Sequence, residues 1–160
     1  MDAGRLAGQI SELLGDRTVA CAESCTAGRV SAVFAGVEGA ADWFRGALVA
    51  YQVPVKRALL GVEAESVLCE QAAAEMAIGV AELLDASVAV ATTGVAGDEP
   101  EDGVEPGTVF FATYVDGRVQ VATHRFDGSP ESVCDAARNC ALGMLRHHLG
   151  EVVGPSRYPS

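Results

Sequence analysis

Three short segments carry the side chains with chemical reach. At Glu23-Ser24-Cys25 a β-type apolar run stops at a carboxylate, a hydroxyl and a thiol, and a small-residue helical pattern follows at once. Later, Tyr51 ends a second apolar run, and Lys56 follows five residues on. The third segment, Thr92-Thr93-Gly94, opens a Gly-rich loop through Gly97, where hydroxyls and bare backbone amides can approach a ligand. Ser24 and Cys25 are rival nucleophiles, and either needs a base. Of the histidines, His147 and His148 fall late in the last helical pattern and His124 falls within a strand pattern, so none is a natural partner. A serine can instead be paired with lysine. Lys56 is the only lysine among eleven basic side chains, the rest being arginine. Arginine keeps its proton, whereas a desolvated lysine can lose one and act as a base. The plainer alternatives are that Ser24 or Thr26 only caps a helix and that Lys56 is a solvated surface residue.

Composition narrows the setting. One hundred and sixty residues suit a single domain with a substantial core. The expected division is one domain over 1–150 and a flexible tail over 151–160. No apolar run approaches the roughly 20 residues that span a bilayer, and the N-terminal stretch lacks the core of a secretory signal. A cytoplasmic protein with no membrane partner is the expectation. The net charge of −11 disfavours a nucleic-acid partner. Five cysteines without a C-x-x-C pair resemble neither a disulfide framework nor a zinc site.

The elements that must position these groups follow from periodicity. Leu6, Ile10, Leu13 and Leu14 predict a helix over about 3–14 ending at Gly15, and residues 17–23 read as a short buried strand. A helix over about 26–36 starting at Thr26, a strand at 44–52, a short helix at 55–60 and a longer one at about 66–84 come next. A strand at 87–94 opens the Gly-rich loop, and a hairpin turning at Asp116-Gly117 follows. Ser129-Pro130-Glu131 is a strong start for the last helix. The order predicts helices over a mixed, mostly parallel five-stranded sheet with one antiparallel strand. Loops 22–27, 51–56 and 92–107 should then gather outside the carboxyl ends of the parallel strands. Within the last of these, residues 98–105 hold five acids and read as an exposed, mobile flap.

Together the segments resemble the CinA C-terminal family of nicotinamide-nucleotide amidases over roughly residues 5–149. AESCTAG (22–28) looks like its A-E-S-C-T-G-G signature, AYQVPVK (50–56) like its Tyr and Lys five apart, and TTGVAG (92–97) with PGTV (106–109) like its Gly-rich loop. The resemblance implies a three-layer α/β/α domain, often dimeric, that hydrolyses nicotinamide mononucleotide to nicotinate mononucleotide and ammonia without metal or cofactor. It implies Ser24 as nucleophile, Lys56 as general base and Tyr51 as an adjacent hydrogen-bonding group. Thr93 and Gly94 would line the amide, with Glu23, Cys25, Thr26, Thr92 and Gly97 around the substrate and helix-start N–H groups holding the oxyanion. Four places depart from the pattern. Ala27 replaces a usual glycine, and Val53-Pro54 replaces a commonly polar pair. Pro130 and Cys134 stand where arginines commonly do, natural partners for a phosphate. Arg138 or Arg125 is the candidate substitute. An amidase for a less phosphorylated amide and a non-catalytic binding module are the competing readings.

Overall fold

The computed structural model describes residues 2–154. Helix α1 (Ala3–Leu14) buries Leu6, Ala7, Ile10 and Leu14, is capped by the Asp2 carboxylate and stops at Gly15, whose φ is 60°. Strand β1 (Val19–Glu23) is wholly buried, as a central parallel strand must be. Helix α2 (Arg29–Ala35), strand β2 (Phe44–Val49), helices α3 (Val53–Leu60) and α4 (Glu70–Leu83) and strand β3 (Val88–Gly94) follow. Strands β4 (Thr108–Val115) and β5 (Arg118–Arg125) form the hairpin, turning through positive φ at both Asp116 and Gly117. Helix α5 (Pro130–Val153) completes the chain. It extends three residues beyond 150, so the expected tail is helical there; residues 155–160 lie outside those described.

The sheet order is β2-β1-β3-β4-β5. β1 pairs in parallel with β2 and β3, while β4 is antiparallel to both β3 and β5. One strand therefore runs against the other four. Alternate residues face opposite layers. Val19, Cys21, Val88, Val90 and Phe111 meet α1, α2 and α5, whereas Ala20, Ala22, Ala89, Ala91 and Ala112 meet α3 and α4. A face of alanines lets α4 sit close to the sheet. At Gly79 on α4 an added Cβ would lie 2.0 Å from the Leu60 carbonyl, so that close approach to α3 requires glycine. With β1 between β2 and β3, the crevice of this open sheet lies outside the carboxyl ends of β1 and β3.

Candidate active site

A cleft of about 660 Å³ opens at that edge. The three loops expected there do converge: Ser24 and Cys25 follow β1, Tyr51 to Pro54 and Lys56 follow β2, and Gly94, Ala96 and Gly97 follow β3. One contribution was not foreseen: Val67 and Leu68 line the cleft from the segment read as the start of a helix at 66. Glu101 and Asp102 line it from the acidic part of the 92–107 loop. That loop is exposed but shaped: Glu101 and Val104 exchange backbone hydrogen bonds of 3.0 and 2.8 Å around Asp102 and Gly103.

Lys56 is not a solvated lysine. It sits in the second turn of α3, is only 3 % exposed and lines the cleft. Among the described residues its ammonium joins none of the ion pairs. Burial lowers its pKa below the ordinary lysine value, opposed by the neighbouring Cys25 and Glu101. Ser24 is 4 % exposed and lines the same cleft. Its backbone N–H donates to the Thr92 carbonyl at 3.1 Å, which anchors it to β3. Burial, aided by nearby Cys134, pushes the rival thiol Cys25 up to about 12, and Lys56 and the N–H groups of Cys25 and Thr26 only partly offset this. The neutral thiol is thereby favoured over the more nucleophilic thiolate. His124 and His147 are exposed, His148 is buried on Thr113, and none of the three lines the cleft.

The junction after Ser24 differs from the expected helix start. Residues 25–28 form successive turns, with Ala27 at φ 46° and Gly28 at φ 95°, and α2 begins only at Arg29. Its first N–H groups are already taken. The Glu23 carboxylate accepts from Val30 N and Ser31 N, each at 3.0 Å, from the Ser31 hydroxyl, and from Thr26 Oγ1 at 2.7 Å. Glu23 is thus a buried cap that fixes the turn, and it does not face the cleft. Because Thr26 gives its one hydroxyl proton to Glu23, Thr92 must be the donor in the 2.8 Å contact between the two threonines. The order Thr92, Thr26, Glu23 ties β3 to the turn that carries Ser24. The helix-start N–H groups expected to hold an oxyanion are therefore spent. Those of Cys25 and Thr26 have no backbone acceptor among the described residues.

The remaining expected site residues divide. Gly94 and Gly97 line the cleft; Thr93 is fully buried and bonds the Val67 carbonyl at 2.9 Å, holding the far wall rather than facing it. Tyr51 stands at the mouth, 66 % exposed, so its ring is free to cover a bound ligand. Arg138 is elsewhere. It pairs with Asp135 at 3.5 Å and borders a shallow depression between α1 and α2. Arg125 is exposed at the end of β5 and does not line the cleft either. Cys134, one of the arginine-replacing positions, donates to the Cys25 carbonyl at 3.0 Å and pins α5 to the turn. Among the described residues no three His, Cys, Asp or Glu side chains gather as metal ligands.

The comparisons with known proteins agree with the fold. The family description "CinA C-terminal domain" matches residues 4–149. The CinA-like protein of Flavobacterium psychrophilum is 37 % identical over 134 residues, 80 % of this chain and 32 % of that protein. That of Thermotoga neapolitana is 35 % identical over 141 residues, 84 % of this chain and 34 % of its own length. The chain thus spans about a third of the curated relatives it matches. A crystal structure of a competence-damaged protein (CinA) superfamily protein from Enterobacter cloacae superposes with a TM-score of 0.90 at 30 % identity, covering 93 % of each chain. The competence/damage inducible protein CihA from Agrobacterium tumefaciens gives 0.85 at 29 % identity, over 94 % of this chain and 96 % of that one. No helix among the described residues is long and apolar enough to cross a membrane. With the family model matching residues 4–149 and the fold superposing on solved members, the chain belongs to the CinA C-terminal domain family.

Proposed function

We propose that the chain is a Ser–Lys amidohydrolase that converts the carboxamide of a nicotinamide nucleotide to the carboxylate, with release of ammonia. Nicotinamide mononucleotide is the substrate the family resemblance implies. The supporting observation is Lys56: a buried, unpaired amine sharing a cleft with a serine hydroxyl. Neutral Lys56 takes the Ser24 proton as Oγ attacks the amide carbon. The tetrahedral oxyanion lies against the N–H groups of Cys25 and Thr26. Protonated Lys56 then delivers its proton to the departing nitrogen, which leaves as ammonia. Water, deprotonated by the same amine, cleaves the acyl-serine and frees the acid. Tyr51 covers the ring at the mouth.

A coupled ammonia assay on nicotinamide mononucleotide tests this reading. Ser24→Ala and Lys56→Ala should each lower kcat by about 10³-fold or more with the circular dichroism spectrum unchanged. A serine-directed acylating probe should label Ser24 in the parent protein. Turnover that survives in Ser24→Ala, or a parent protein that neither turns over the amide nor takes the label, would sink it.

A further inference from the structure

The backbone from Glu63 to Leu68, between α3 and α4, makes no backbone–backbone hydrogen bond among the described residues. Yet Val67 and Leu68, at its end, are the two buried aliphatic side chains of the cleft, where Val53 and Pro54 are exposed. We propose that Arg57 and Glu75 are positioning residues that hold this segment as a preset apolar wall for the ring of the bound carboxamide. This deepens the amidase reading above and rests on it.

Side chains replace the missing backbone pairing. The Arg57 guanidinium, one residue after Lys56 on α3, donates through Nη1 to the Val62 and Ala64 carbonyls at 3.2 and 3.0 Å. Its Nη2 donates to the Glu65 carbonyl at 3.1 Å. From α4 the Glu75 carboxylate accepts from Glu63 N at 2.9 Å and Ala64 N at 3.0 Å, one oxygen for each. Charge-assisted bonds thus grip four consecutive residues, with Ala64 held at both its N–H and its carbonyl. Among the described residues neither Arg57 nor Glu75 is spent on an ion pair. Beyond the grip, Thr93 Oγ1 donates to the Val67 carbonyl at 2.9 Å, and Leu68 N donates to Ser66 Oγ at 3.1 Å. Only Ser66 stands between the gripped residues and Val67, so fixing the first sets the direction of the second.

A segment without these bonds would sample many conformations, and ordering it at each binding event would weaken affinity. Holding it in advance removes that cost. The wall meets the ring, which the reaction leaves unchanged, so its contacts are alike in the bound substrate and the transition state. Loss of the wall should therefore raise KM and leave kcat alone.

Glu75→Gln leaves one acceptor for two N–H groups, and Arg57→Ala frees the carbonyls. On nicotinamide mononucleotide each should raise KM about tenfold, with kcat per acylation-labelled site within about twofold of the parent. Counting labelled sites removes any loss of folded protein from the comparison. Arg57→Lys keeps the charge without the planar fork, so its KM should stay with that of Arg57→Ala. Leu68→Ala should raise KM by itself, and Glu75→Gln should add less to it than to the parent, because both act through one wall. An unchanged KM, a fall in kcat at unchanged KM, full rescue by lysine, or strictly additive effects with Leu68→Ala would overturn the proposal. Calorimetric titration with the mononucleotide, in Ser24→Ala with and without Glu75→Gln, reads the wall without turnover. Weaker binding in the double variant, with no ammonia from the parent, would support the wall and remove the amidase reading. Equal binding, or none in either, would overturn the wall, and ammonia from the parent would leave the amidase reading standing.

Discussion

In the proposed Ser–Lys pair, Lys56 is the member whose proton affinity depends on where it sits. Burial disfavours its charged form, while Cys25 and Glu101 work to keep the proton on. A base acts only when neutral, so activity should rise with pH along a limb set by this amine. The inflection in kcat/KM is expected below the ordinary lysine value of 10.5. Glu101→Gln removes one of the groups that raise the pKa, so the limb should move to lower pH. A pH profile of both proteins on nicotinamide mononucleotide checks the sign. A limb that stays in place, or moves upward, would mean that the titrating group is not Lys56. The lysine was identifiable by its uniqueness and its place after a strand. Its burial was not, since Val55, Arg57 and their neighbours give no hint of which face of α3 turns inward.

At the scale of one element, the turn between β1 and α2 shows what local sequence conceals. Thr26 has the composition of a helix cap, yet the cap is Glu23, which reaches residues seven and eight places ahead. Such a contact depends on the turn between them, not on a local motif, so the helix start was placed three residues early. Ala27 bears the cost of that turn, holding φ at 46° where a Cβ is strained. Ala27→Gly should therefore raise stability by roughly 0.5–1 kcal/mol, despite glycine's entropy in the unfolded chain. Urea unfolding measures it, and a lower midpoint would refute the strain. Elements with their own signals were legible: α1 by its apolar stripe, the hairpin by Asp116-Gly117, α5 by Ser129-Pro130. The segment before α4 was not. Its cap is the Cys69 sulfur, accepting from Ala72 N at 3.3 Å, an uncommon use of a thiol that left Val67 and Leu68 hidden inside a presumed helix. The acidic loop is exposed, as its charge predicts, and its Glu101–Val104 bridge is a pairing that charge alone could not foretell.

Across the whole molecule, the alanine face of the sheet and Gly79 act together to place the Lys56 amine. α4 lies close on Ala20, Ala22, Ala89 and Ala91, and α3 lies close on α4 at Leu60, the last residue of the helix that carries Lys56. A methyl group at 79 would meet the Leu60 carbonyl carbon at 2.7 Å as well as its oxygen at 2.0 Å. Backbone cannot yield as a side-chain tip does, so α3 must shift. Gly79→Ala should cost about 1–3 kcal/mol despite alanine's better helix propensity. It should also lower kcat where both proteins are fully folded, since Lys56 moves with α3 and small displacements of a base are costly. Gly143→Ala on α5 supplies the contrast, because a Cβ there meets nothing within 4 Å. That variant should gain about 0.5–1 kcal/mol and leave kcat alone. If the two variants unfold and turn over alike, the second helical layer does not hold Lys56 in register with Ser24.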